Sequence, residues 1–253
     1  MKSYTIAKAS GAPGWDAIEP LRADCVLWEP DCGVRMEQKL CYDDTALYVF
    51  QRAWESDIRA ECSAPLSPVH EDSCMEFFFS LTDDERYVNF EINPNACMEL
   101  GFGPNRRERV RLCHKSERET FRPVCTRTPD GWTAEYRIPL SFLRILYPEF
   151  SLRSGVSFRA NCYKCGDKTV HPHFLAWNAV ETAAPDFHRP EFFGKMILAQ
   201  QKILRSICSE GFFALLCKVH QGKERLLRLK RYRRRIKNRI LYKCALEILR
   251  IVW

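Results

Sequence analysis

Two glutamates and two asparagines stand where their side chains can act together. Glu76 lies in the run 73–81, Asn89 and Glu91 in the run 87–92, and Asn161 in the run 156–163. Apolar and polar residues alternate along each run, as in a strand with one buried face. The alternation places Cys74, Glu76, Phe78 and Ser80 on one side of the first run. It gives Tyr87, Asn89 and Glu91 a common side of the second, and Arg159, Asn161 and Tyr163 a common side of the third. A carboxylate and two amides beside aromatic rings are more than solubility requires, and such convergent polar groups among rings mark this face as a candidate ligand site. Glu76 with Glu91 also suggests the carboxylate pair of a glycosidase. Nothing in their surroundings separates one as acid from the other as base, so no hydrolysis is expected. His188, beside Arg189, reads as a structural or contact residue rather than a general base. No nucleophile elbow, phosphate loop or metalloprotease helix occurs.

The elements that must hold these residues are short strands. Residues 71–93 read as a hairpin, with Met75, Phe77 and Phe79 on the core face of one strand and Val88, Phe90 and Ile92 on that of the other; 82–85 is its polar link. Further strands are expected over 3–8, 35–42, 46–54, 98–103, 109–113, 121–126, 132–138, 174–177 and 193–198. Pro139 is placed at the first position of a short helix ending near Leu146. Residues 55–70, with Pro65 and Pro68, form a long loop leading into the hairpin. Many short strands and almost no helix indicate an all-β, two-sheet antiparallel β-sandwich.

Charge divides the chain. Residues 199–253 carry 15 Lys and Arg against 3 Asp and Glu, whereas residues 1–198 carry 24 against 29. The expected organisation is a mildly acidic sandwich over 1–198 and a basic amphipathic helical tail over 199–253. Residues such as Leu226, Leu229, Tyr232 and Ile236 share an apolar helical face among arginines. That pattern suits an anionic membrane surface better than nucleic acid; a partner protein, or a merely solvated tail, is the other reading. The 13 cysteines are scattered and follow no secretory leader, so reduced thiols in a cytoplasmic protein are expected. Cys162 and Cys165 form the one CxxC, with His171 and His173 downstream. Cys162 falls on the apolar side of its strand, so the four are read as unrelated to zinc.

The succession DDTALYV, DSCMEFF, YVNFEINP, GWTAEYRIP and FLAWNAVETAAPDFHRPEFFGKMIL resembles the family 9 carbohydrate-binding modules and their stand-alone relatives, over about residues 1–198. These belong to a wider group of β-sandwiches, some of which bind haem or other small ligands. Haem is not expected here, because Met75, the candidate axial methionine, faces the core. The resemblance implies a non-catalytic domain that holds the end of a sugar chain in a cleft, with no required cofactor and structural calcium in some members. Two tryptophan platforms of the family fall at or near His70 and at Phe187. Its strand acid is kept as Glu76, an arginine corresponds to Asn89, and a glutamine to Asn161. The expected ligand-binding set is therefore Glu76, Asn89, Asn161, Trp177 and Phe187, with His70 on the rim; no metal ligands are assigned.

Overall fold

The computed structural model describes residues 1–112 and 117–199. The expectations for a helical, membrane-docking tail concern residues 199–253, of which all but Ala199 lie outside them. The alternating runs become strands nearly where the sequence places them. In chain order these are β1 (Ser3–Lys8), β2 (Leu21–Arg22), β3 (Cys25–Val26), β4 (Arg35–Tyr42), β5 (Ala46–Trp54), β6 (Cys74–Ser80), β7 (Tyr87–Ile92), β8 (Met98–Gly103) and β9 (Val110–Leu112). After a short helix α1 (Glu117–Phe121) follow β10 (Val124–Thr128), β11 (Gly131–Pro139), helix α2 (Leu140–Leu146), β12 (Ser157–Cys165), β13 (Phe174–Ala176) and β14 (Gly194–Leu198). Phe121, expected in a strand, sits in α1, and Pro139 ends β11 one residue before α2 begins.

Hydrogen bonding runs in the order β10-β11-β5-β4-β1-β14-β12-β6-β7-β8-β9. The sheet curls so that its two halves share one core: Leu40, Val49, Trp132 and Ile138 from one half meet Met75, Phe77, Phe90 and Phe158 from the other. All six core residues expected of the hairpin are at most 1% exposed. The sheet is mixed rather than wholly antiparallel. β1 runs parallel to both β4 and β14. Parallel neighbours need a long connection, and β1 is separated from both partners by long stretches of chain. It thereby fills the seam between the halves, where open strand edges would otherwise remain.

A buried ion pair crosses the core. Lys164 Nζ, on β12, lies 3.2 Å from Glu55 Oε2, just past β5. Trp132 Nε1–H of β11 donates to Glu55 Oε1 at 2.6 Å, and Ser73 Oγ–H donates to Oε2 at 2.9 Å. Lys164 also donates to His173 Nε2 and to the Cys165 carbonyl. Burial holds the His173 imidazole down at about 4, so it accepts the lysine proton as a neutral ring.

The second face of the central strands is buried as well. Cys74 and Phe78 of β6, Tyr87 of β7 and Tyr163 and Cys165 of β12 form a separate cluster with Val69, Phe174, Phe187 and Phe193. Loop residues roof this face, and the gap they leave is the cavity described next.

Candidate functional site

Strand register builds the floor. Glu76 stands opposite Glu91 across β6 and β7, and Glu91 opposite Glu99 across β7 and β8. Three carboxyl groups thus form a row over three strands, each only 3% exposed, at the bottom of a cavity of about 680 Å³. Residues opposed across antiparallel strands have Cβ atoms about 5 Å apart, so the charges cannot be independent. Burial pushes the Glu76 carboxyl up to about 7, although the Cys165 thiol donates to its Oε1 at 2.9 Å. Glu91, in the middle, is pushed well above the usual carboxylate range by burial and by the acids on both sides. Both effects favour its protonated form, which can donate as well as accept; Asn89 Nδ2–H donates to its Oε1 at 3.1 Å. Glu99 is held by cations: Arg109 Nη2 and Arg111 Nε lie 3.2 and 3.0 Å from its Oε1.

Arg109 reaches the floor because two glycines let it. A Cβ on Gly101 would overlap Asn89 Oδ1 and come within 2.9 Å of Arg109 Cδ and Nε, and one on Gly103 would overlap the Arg109 backbone. β8 therefore presents bare backbone, over which the arginine lies against the acid row. Arg106 and Arg107 continue the basic edge at the mouth, where Arg106 Nε lies 3.3 Å from Asp186 Oδ1.

Aromatic rings make the opposite wall. Phe187 stacks on Tyr163 with centroids 4.1 Å apart and planes 9° from parallel. Trp28 leans on Phe187 at 5.4 Å, edge-on to Phe174 at 5.5 Å. Its indole N–H donates to the Thr182 carbonyl at 2.8 Å, and its backbone has φ 57°. His188 completes the wall. Burial and the neighbouring arginines hold its ring neutral, down at about 2. The Tyr87 hydroxyl lies in hydrogen-bond contact with its Nδ1 at 2.7 Å.

Of the residues expected from sequence, Glu76, Phe187 and His70 line the cavity. Asn89 lies beneath the floor, wholly buried against Glu91 and Gly101. Asn161 and Trp177 lie elsewhere. Asn161 Nδ2–H donates to the Asn178 carbonyl at 2.9 Å, while its Oδ1 accepts the backbone N–H groups of Asn178 and Cys162. Its amide is spent on fixing the chain after β13. Trp177 packs in the main core. Sequence reasoning missed Trp28, Glu99 and Arg109. Glu99 was within reach: a turn over 93–97 brings it opposite Glu91. Trp28 and Arg109 carry no periodic signal.

Among the described residues, two groups of potential metal ligands converge: Cys74, Glu76 and Cys165, and His70, Glu91 and Glu99. Neither fits calcium, which takes six to eight oxygens. The first group offers two sulfurs, and in the second Glu99 is already held by two arginines. The CxxC is no chelate either: Cys162 is in the main core and Cys165 on the other face of β12.

A curled β-sheet with a roofed, aromatic- and carboxyl-lined cavity is the architecture of a ligand-binding module. The chain belongs to carbohydrate-binding family 9, whose model matches residues 15–198. Its fold is shared with a candidate carbohydrate-binding protein from Bacteroides uniformis ATCC 8492, at 27% identity and a TM-score of 0.68, covering 78% of this chain and 99% of that one. A family 9 module from Caldicellulosiruptor kristjanssonii in complex with glucose aligns at 16% identity and a TM-score of 0.57, over 80% of this chain and 99% of that one. The cellotriose complex of such a module from the same organism aligns at 15% identity and 0.55, over 78% and 94%. No curated protein matches the chain.

Proposed function

We propose that the cavity holds one end of a neutral glucan, with a sugar ring lying between the acid row and the Trp28–Phe187 wall. The observation that carries this is the row Glu76–Glu91–Glu99. With Glu91 protonated between two hydrogen-bond acceptors, the floor offers acceptor, donor and acceptor in sequence. Vicinal sugar hydroxyls, each donor and acceptor at once, match such a line. Trp28 supplies the flat apolar surface, at low entropic cost. The glucose and cellotriose bound by the similar modules support this ligand class.

The domain binds and does not cleave. A glycosidase sets its two carboxyl groups on either side of the scissile bond. Glu76 and Glu91 are cross-strand neighbours on one face of one sheet, pointing the same way. Isothermal titration of the full chain with glucose, cellobiose and cellotriose tests the proposal. Glu76→Gln should weaken binding by about 1.5–3 kcal/mol, the scale of hydrogen bonds to a charged group, and Trp28→Ala should weaken it comparably. Reducing-end release should stay at background. Equal affinity in wild type and both variants would place the binding face elsewhere, and hydrolysis lost in Glu76→Gln would make the protein an enzyme.

A further inference from the structure

The cavity floor holds a second set of groups that a sugar site does not call for. Cys74 on β6 and Cys165 on β12 are directly opposed in register, and both are free thiols at most 2% exposed. Glu76, two residues from Cys74, projects from the same face of β6. The two Sγ atoms and a Glu76 carboxylate oxygen lie within 4.8 Å of one another. Cys165 Sγ is 2.9 Å from Glu76 Oε1.

We propose that Cys74, Cys165 and Glu76 form a three-ligand site for a thiophilic divalent cation of the zinc class, with its fourth position open to the cavity. Three observations converge on this. The first is spacing: a tetrahedral ion with Zn–S of about 2.3 Å and Zn–O of about 2.0–2.2 Å sets its ligand atoms about 3.5–3.8 Å apart. The three ligand atoms already lie within 4.8 Å of one another, on strands held in register. The second is ligand chemistry: two thiols with one carboxylate select zinc-like ions over calcium or magnesium. The third is access. Glu76 and Cys165 both line the cavity while Cys74 lies behind them, so an ion entering through the cavity meets two ligands at its wall and the third beyond. Two thiolates and a carboxylate around a dication leave one negative charge, which the basic edge of the cavity faces. In this arrangement Cys165 exchanges its hydrogen bond to Glu76 for a shared metal. The site rests on these three residues and stands whether or not the cavity takes a glucan.

The test is a titration of the full chain, reduced and stripped of metal, with Cd²⁺ or Co²⁺, following the thiolate-to-metal charge-transfer band. Zn²⁺ titration by calorimetry runs in parallel. The expected result is one tight equivalent with a charge-transfer band, at least tenfold weaker in Cys165→Ser and in Glu76→Gln. It should be unchanged in Cys162→Ser, whose sulfur is on the far face of the same strand. No band, or a band of equal affinity in Cys165→Ser and Glu76→Gln, overturns the proposal by assigning any binding to the other cysteines. Should Cys165→Ser fail to fold, Glu76→Gln decides alone, through metal affinity and through the rise in melting temperature that bound Zn²⁺ gives wild type. Glucan titration of the metal-free protein is read separately, so loss of either ligand leaves the other result intact.

Discussion

Replacing Glu91 by glutamine should make the protein more stable at alkaline pH, although it removes a natural side chain from the cavity floor. Glu91 sits between Glu76 and Glu99 and is pushed well above the usual carboxylate range. Two like charges about 5 Å apart repel by about 3 kcal/mol at an effective dielectric constant of about 20, so ionisation is disfavoured most at the middle acid. An acid whose folded pKa lies above its unfolded value contributes stability below the unfolded value, and loses it as pH rises toward the folded one. Each proton held in this way costs about 1.4 kcal/mol per pH unit. Below about pH 6.5 each single curve also carries the histidines, which both proteins share and which cancel in the difference between them. His173 and His188 are neutral in the fold, at about 4 and about 2, and they destabilise it as the unfolded chain takes up protons. Above that point the histidines are spent, and Glu91 governs with Glu76. Glutamine imitates the protonated acid and cannot ionise. Urea unfolding of both proteins at pH 6.5, 7.25 and 8 should show the variant's advantage growing by up to about 2 kcal/mol across the range. A constant difference, or a wild type that gains on the variant as pH rises, would mean that Glu91 is ionised in the fold and that the donor in the middle of the floor does not exist.

Two further outcomes follow from the packing. Lys164→Met should cost about 3–5 kcal/mol, because it leaves Glu55 buried without its cation; adding Glu55→Gln should return part of this, and urea midpoints of the two singles and the double measure the coupling. Gly101→Ala places a Cβ where Asn89 Oδ1 and Arg109 now lie, so it should lower stability by about 1–3 kcal/mol and weaken glucan binding by moving Arg109 off Glu99. Unchanged titration curves in that variant would show that Arg109 plays no part in the floor.

The hairpin was legible because its signal is local: a period of two over 73–81 and 87–92 fixes which residues enter the core, and all six do. The same alternation gave Glu76 its neighbours but not their surroundings. Both faces of β6 and β7 are buried; the second face is roofed by Val69, Trp28 and Phe187 from three distant parts of the chain, and no local period encodes that meeting. Asn161 shows the limit from the other side. Its placement on the common face was correct, yet its amide is consumed by the backbone of Asn178, and hydrogen-bond satisfaction depends on a segment that arrives after β13. Arg109 was invisible for a further reason: its position depends on what Gly101 and Gly103 lack.

Those glycines also bear on why the floor carries so many ionisable groups and yet suits an uncharged ligand. Four arginines border the cavity, which taken alone suggests an anion site. Two of them are committed to Glu99 and a third to Asp186. The acid row is restrained in turn: burial and the flanking acids push Glu91 toward its neutral form, and burial raises Glu76 to about 7. What remains on the floor is a set of directed donors and acceptors, held rigid by opposed strands and by an arginine pressed onto bare backbone. An anion at the floor would have to displace a carboxylate from Arg109 or Arg111, whereas a polyhydroxylated ring can join the network without breaking an ion pair. By the same reasoning, glucuronic acid should bind no better than glucose in side-by-side titrations; clear preference for the acid sugar would show that the arginines, rather than the glutamate row, recognise the ligand.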